Sequence, residues 1–415
     1  MMNRRVVLAA LWLVLAGTLY GQSGFYLKEG DRVVFYGDSI TDQRLYTTFV
    51  ESYVLSRFPE RKIEFVHSGW GGDRVTGGGG GPVELRLQRD VIAHRPTVVT
   101  IMLGMNDGRY RAYDAELFQT YSSGYERIVT VLKTALPAAR LTLIRPSPYD
   151  DVTRAPMFEG GYNALLVRYG DVVAELARRK GVDCADLNAP VVAALEKAKA
   201  AEPELAQRIV PDRVHPAAGG HLLMAAALLS AWNAPALVSS VEIDGAARRV
   251  TRAENATVTL EPGASLAWTQ LERALPMPVD WKDSVVSLAV GSSDFVHALD
   301  RELLRVTGLA AGRHALRIDG EEVGMFSKEE LAAGINLATL QTPMLRQALQ
   351  MHALTLKHNG IHFARWRQIQ LPLESDAVAA KHTALGALDA LETELVNSQR
   401  AAAQPRSHRF ELGPN

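Results

Sequence analysis

The chain reads as an α/β protein, a doubly wound parallel sheet followed by an appended C-terminal β domain and a helical tail. Three observations carry that reading. From Val33 to Leu187 short apolar runs alternate with stretches of helical spacing, the pattern of repeated strand–helix–strand crossovers. Thr97 to Leu103 is apolar without alternation, as expected of a strand covered on both faces. After Trp232 the pattern shortens to period two, as in Val241-Glu242-Ile243, and helical spacing returns only beyond Ser327.

The elements follow in order. Residues 1–24 have signal-peptide anatomy: basic Arg4 and Arg5, an apolar run from Val6 to Leu15, then small and polar residues. The run is short for a bilayer span. No clean Ala-x-Ala site follows, so an uncleaved anchor stays open, and no later segment is apolar enough to be transmembrane. Val33 to Tyr36 is the first strand, and residues 43–58 carry Leu45, Phe49, Tyr53 and Val54 at helical spacing. Lys62 to His67 is the second strand. Pro82 opens a helix with Val83, Leu87 and Val91 on one face, closed before Pro96. A third strand, Thr97 to Leu103, precedes a long helix over 114–136 and a fourth strand, Leu141 to Ile144. A helix over 163–180 stops at Gly181. The fifth strand, Val182 to Leu187, holds Cys184, the only cysteine, which the pattern places in the core.

Pro235 sits in the break before the β region. Leu316 to Val323 reads as a hairpin turning on Asp319-Gly320. Ser327-Lys328-Glu329-Glu330 is a capping-box pattern, residues 343–358 have helical spacing, and another helix is expected over about 375–398. With 45 basic and 46 acidic residues the chain offers no basic field for nucleic acid.

Four motifs stand just after strands or before helices: Gly37-Asp38-Ser39-Ile40, Gly69-Trp70-Gly71-Gly72-Asp73, Gly104-Met105-Asn106-Asp107 and Asp212-Arg213-Val214-His215. Each alone is weak; their order along one chain is the signal. Ser39 is a nucleophile only if a base takes its proton, and His215 is the natural base. Asp212, three residues earlier, can hold the imidazole in one tautomer; the competing role for Asp212 is a helix cap near Pro216. Acyl transfer also needs fixed donors for the developing oxyanion. Backbone N–H groups of Ser39 and Gly72 and the side-chain amide of Asn106 are the candidates. Gly72 is preferred to Gly71 because it directly precedes Asp73. Trp70, Arg109, Tyr110 and Tyr149 lie beyond the strand ends and are candidates for the substrate pocket. Gly77 to Gly81 is neither a phosphate loop nor a dinucleotide fingerprint and reads as a flexible rim loop. His215 and His221 lack a third partner at metal-ligand spacing, so no metal is expected, and His221 reads as a helix residue near the site mouth.

The four motifs together resemble those of the SGNH (GDSL-type) hydrolase superfamily over roughly residues 30–235, with Ser39, Gly72, Asn106 and His215 as the matching residues. The resemblance implies a flavodoxin-like sheet, a serine esterase with an acyl-enzyme intermediate and no cofactor, and Ser39, Gly72 and Asn106 as the oxyanion hole. The sequence pattern divides the chain into a signal peptide (1–24), the hydrolase domain (25–234), a small β domain (235–326), a helical C-terminal region (327–400) and a disordered tail (401–415). The expected substrate is a small-molecule or glycan ester, best guessed as an acetyl ester on carbohydrate, met in the periplasm or outside the cell. Three alternatives remain open at this level: a lipid-directed esterase, an acyltransferase with the same triad, and a non-catalytic carbohydrate-binding protein on an esterase-like fold. Trp268, Trp281 and Phe295 could stack on sugars, though core positions in the β domain suit them better.

Overall fold

Apolar, β-branched runs build the first layer. In the computed structural model, which describes residues 24–376 and 378–414, such runs form β1 (Arg32–Gly37), β2 (Glu64–Gly69), β5 (Val98–Met102) and β6 (Arg140–Arg145), joined by the two-residue arms β3 (Gly77–Gly78) and β4 (Gly81–Pro82) and by β7 (Asp183–Asp186). Five of these strands make one parallel sheet in the order β2-β1-β5-β6-β7. Val33, Val34, Phe35 and Tyr36 of β1 and Val98, Val99 and Ile101 of β5 are fully buried, so both faces are covered. The chain leaves β1 toward β2 and then crosses to β5 on the other side. That reversal opens a crevice at the carboxyl ends of β1 and β5, where ligands bind in open α/β sheets.

The helices of this half are α1 (Ser39–Asp42), α2 (Leu45–Arg57), α3 (Val83–Asp90), α4 (Ala115–Ala135), α5 (Gly161–Lys180), α6 (Ala189–Ala201), α7 (Pro203–Ala206) and α8 (Ala218–Ala231). α5 ends as expected at Gly181, whose φ of 62° is left-handed. The signal-peptide expectation falls on residues 1–24, which lie outside the described residues apart from Gly24.

The second half contains β8 (Leu237–Asp244), β9 (Arg249–Glu254), β10 (Ala256–Leu260), β11 (Leu266–Glu272), α9 (Ser284–Gly291), α10 (Phe295–Leu299), β12 (Arg301–Thr307), β13 (Arg313–Ile318), β14 (Glu321–Ser327), α11 (Lys328–Ala333), β15 (Ile335–Asn336), α12 (Pro343–Phe363), α13 (Ala380–Ala403) and β16 (Ser407–Pro414). The strands form sheets ordered β10-β11-β16-β13-β14 and β15-β12-β8-β9. The expected hairpin and the Ser327–Glu330 capping box are both present. Among the described residues no helix is long and apolar enough to cross a membrane.

Four expectations need correction. The disordered tail is instead β16, which pairs with β11 on one side and β13 on the other. Its residues alternate, with His408, Phe410 and Leu412 buried and Arg409 and Glu411 paired outside them. The β domain is not one continuous segment. Met277, Val279 and the apolar residues of α9 and α10 belong to the first core, together with Phe295. A Cβ on Gly219 of α8 would stand 2.8 Å from that of Ala289, so the missing side chain lets α9 seat closely on α8. Cys184 is exposed, because β7 is the edge strand of the sheet. Finally, the glycine run is a packed hairpin rather than a slack loop. A Cβ on Gly80 would lie 2.4 Å from Arg86 Cδ and 2.6 Å from the Trp70 ring.

α2 shows how the halves meet. Its residues from Tyr46 to Arg57 are all buried, including Thr48, Glu51, Ser52 and Arg57. Buried polar groups need partners, and the second half supplies them. Asn359 Nδ2 donates to Thr48 Oγ1 at 2.9 Å and Glu51 Oε2 at 3.1 Å. Gln399 Nε2 donates to Glu51 Oε1 at 3.0 Å, and Ser52 Oγ lies 2.8 Å from His352 Nδ1. Arg57 forms a buried ion pair with Asp300 at 2.9 Å.

Candidate active site

β1 delivers the first motif to the crevice. Gly37 passes so close to Thr41 and the Met102 carbonyl (2.7 Å from a built Cβ) that no side chain fits. Asp38 caps α1, accepting from the Ile40 N–H at 3.0 Å, and Ser39 becomes the first residue of that helix. His215 Nε2 lies 2.8 Å from Ser39 Oγ, and His215 Nδ1 lies 2.7 Å from Asp212 Oδ2. Asp212 Oδ1 also accepts the backbone N–H groups of Val214 at 2.9 Å and His215 at 2.7 Å. Arg213, with a φ of 72°, makes the tight turn that brings them together. Asp212 therefore closes its own loop, and α8 begins without a side-chain cap. Burial pushes the Asp212 carboxyl up, but the bonds from His215 and Val214 outweigh it and hold the group below its ordinary value. Arg213 Nη1 donates to the carbonyls of Asp150 at 3.3 Å and Ala155 at 2.9 Å, bracing the loop on the segment after β6.

The donor candidates come from the exits of β2 and β5. The N–H of Gly71 is engaged by Asp42 Oδ2 at 3.1 Å. Gly72 has a φ of 76° and stands exposed, with nothing within 4 Å of a built Cβ, so the backbone turn and not space requires glycine. Asn106 Nδ2 donates to the Asp73 carbonyl at 3.1 Å, and its Oδ1 accepts the Tyr110 hydroxyl at 2.9 Å. These two bonds orient the amide and leave its second N–H for a ligand. Beneath lies a set of buried carboxyls. Burial pushes both Asp38 and Asp107 up to about 7. Arg86, fully buried, holds Asp73 at 2.7 Å and also pairs with Asp90.

The pocket candidates divide. Arg109 and Tyr110 are exposed and both left-handed, with φ of 52° and 53°, a strained conformation for two successive non-glycine residues. Tyr149 is buried, its hydroxyl 2.9 Å from Met157 Sδ. Trp70 is drawn into packing between charged side chains, with Arg86 and Arg89 each 5.2 Å from its ring and Arg367 at 3.0 Å. His221 is not at the site mouth. It is fully buried under the turn between α1 and α2, where Nδ1 accepts the Tyr46 N–H at 3.2 Å and Nε2 meets Gln43 Oε1 at 3.0 Å. Burial, with the charge of His215, pushes its pKa down to about 3. Arg86 and Arg367 escaped the sequence reading. Arg86 sits at helical spacing from Asp90, a weak hint, and Arg367 is 298 residues from Gly69, with no local signal.

Residues 35–223 match the GDSL-like lipase/acylhydrolase family. The chain is 29% identical over 223 residues to an acetylxylan esterase of Geobacillus stearothermophilus, covering 49% of this chain and 94% of that one. It is also similar, at 26% identity and a TM-score of 0.80, to a solved gut microbial diltiazem-metabolizing enzyme, BT4096, over 94% of this chain and 98% of that one. The fold and these matches define a GDSL-type hydrolase. Residues 35–223 form a domain of the SGNH (GDSL-type) superfamily, and the enzyme is a carboxylic ester hydrolase.

Proposed function

We propose that this enzyme is an exported serine esterase that removes short acyl groups, acetyl first among them, from carbohydrate. The observation that carries the catalytic part is the continuous hydrogen-bonded row Ser39–His215–Asp212. His215 Nε2 takes the Ser39 proton as Oγ attacks the ester carbonyl. The oxyanion that forms is met by the N–H groups of Ser39 and Gly72 and by Asn106 Nδ2. Collapse expels the alcohol, protonated by His215, and leaves an acyl-serine. Water, deprotonated by the same imidazole, then attacks that acyl carbon and returns Ser39 with release of the acid. Asp212 keeps the Nδ1 proton in place and stabilises the imidazolium.

The acetyl-carbohydrate part is supported by the likeness to an acetylxylan esterase. Export is supported by the sequence of residues 1–24 alone. A second reading, a small-molecule ester as substrate, is favoured because the relative matched along nearly the whole chain metabolizes diltiazem. An acyl-chain-length series of nitrophenyl esters, run beside acetylated xylan, separates the two. The proposal expects fast turnover of acetyl, a steep fall with longer chains, and release of acetate from the polymer. Ser39→Ala should abolish all of it with the fold intact. Retained activity in that variant, or no acetate from any polymer, would refute the corresponding part.

A further inference from the structure

The second half of the chain reaches the first beside the nucleophile. α12 does not stop cleanly at Phe363, for its backbone runs on as a π-helical stretch, Ala364–Gln370. Such turns are less favourable than α-helical ones and occur often at functional sites, where they re-aim side chains. Here the stretch turns Trp366 and Arg367 onto the loop after β2. The Arg367 guanidinium lies over the Trp70 ring, 3.0 Å from its centroid. Its Nη1 donates to the Gly69 carbonyl at 3.4 Å and stands 3.7 Å from Asp42 Oδ1. The other oxygen of Asp42 accepts the Gly71 N–H at 3.1 Å. Buried Trp366 meets Trp70 edge-on, with centroids 5.9 Å apart. One guanidinium thus ties the helix that begins at Ser39 to the loop that carries Gly72.

That loop is hung from β1 by the Trp70 N–H on the Gly37 carbonyl at 3.0 Å and closed by the Asp73 N–H on the Trp70 carbonyl at 3.1 Å, but it has few side-chain anchors of its own. Gly71 and Gly72 contribute no side chain, and nothing packs where a Gly72 side chain would stand. The position of the Gly72 N–H is therefore set by its neighbours Trp70, Gly71 and Asp73. Asp73 is held from within by Arg86. Trp70 and Gly71 are held by Arg367, directly for the first and through Asp42 for the second.

We propose that Arg367 is a positioning residue for ester hydrolysis, acting through Asp42 and Trp70 to hold the Gly71–Gly72 turn where its N–H meets the developing oxyanion. This rests on the reading of Gly72 as an oxyanion donor. With a side chain only 17% exposed, Arg367 is a brace and not a substrate contact. A lysine could still face Asp42, but it cannot lie flat on the indole as a planar guanidinium does.

Steady-state kinetics of the full chain on nitrophenyl acetate test the role. Arg367→Met should lower kcat roughly 10- to 50-fold, less than outright loss of an oxyanion donor, with KM changed less than about threefold. Arg367→Lys should recover part of the loss. Asp42→Ala should resemble Arg367→Met, and the double variant should be little worse than either single, because both act through one loop. Wild-type kcat in Arg367→Met overturns the proposal. So does a loss fully accounted for by the unfolded fraction seen by circular dichroism, or full additivity with Asp42→Ala. Ser39→Ala run in parallel separates the two levels. If it stays active, the site itself has been misread. If it is dead while Arg367→Met is fully active, only the role of Arg367 falls.

Discussion

Asn106, the side-chain donor in the proposed oxyanion hole, illustrates what such a role requires. An amide rotated by half a turn would present oxygen to the substrate and repel the transition state. Tyr110 prevents that by donating to Oδ1, while Asp73 receives one of the two amide hydrogens. The strained left-handed pair Arg109–Tyr110 is the backbone arrangement that places the hydroxyl there. Asn106→Ala should lower kcat by about 10²–10³ with little change in KM. Tyr110→Phe keeps the ring and removes the bond, and should lower kcat by roughly 5- to 10-fold, with no added effect on the Asn106→Ala background. A change confined to KM would make Tyr110 a substrate contact instead. The motif residues were legible because their chemistry is local: Asp-x-x-His sets the imidazole within four residues, and Gly-Asp-Ser sets the cap and the hydroxyl within three. Tyr110 was legible as a residue near the site but not as a partner of Asn106, since a φ of 53° outside glycine leaves no mark in composition.

At the scale of elements, periodicity read the parallel sheet and most of its helices, with most ends shifted by a residue or two, but it missed α6 and α7 and overran the end of α3. It failed where tertiary contacts override the local pattern. α2 carries Thr48, Glu51 and Ser52, which suggest a solvent face, yet they are buried because α12 and α13 bring Asn359, Gln399 and His352 to meet them. The alternation in Ser407–Pro414 is plain once seen, but its place between β11 and β13 depends on strands more than 90 residues away. α9 and α10 lie in the sequence of the β region and pack with the first core because α8, apolar on nearly all sides, needs cover there. These contacts make a definite prediction for truncation. A chain ended at Asn233 would expose Phe49 and Leu55 of α2, the buried carboxylate of Glu51 and the α9 face of α8. It should aggregate or express poorly, as size-exclusion chromatography of the soluble fraction would show. A soluble, monomeric and fully active fragment would mean that the two halves are independent.

Across the whole molecule, the buried ionisable groups set opposite pH dependences for stability. Asp38 and Asp107 are pushed up to about 7 and Asp300 to about 6, all chiefly by burial. Glu302, fully buried and with no hydrogen-bond partner for either oxygen among the described residues, is raised well above the ordinary range by burial and then by Glu272. Each such carboxyl holds its proton in the folded state when the unfolded chain has released it. Their contribution is therefore complete below about pH 4 and is lost as pH rises through the folded values. His221 and His352, pushed by burial down to about 3 and about 4, act in the other direction. They stay neutral in the fold while the unfolded chain binds protons, so their contribution is present above about pH 6.5 and falls as pH drops toward 4 and 3. Above pH 7 the histidines are neutral in both states and cannot offset the carboxyls. Stability should thus peak in mild acid and decline from pH 6 to pH 9. Urea unfolding at pH 6 and pH 9 measures this. Glu302→Gln should narrow the difference between the two pH values, because the glutamine never has to ionise against Glu272 and Asp300, with only Arg57 nearby to compensate. Equal stability of the wild type at both pH values, or a Glu302→Gln variant with an unchanged gap, would refute this pH dependence.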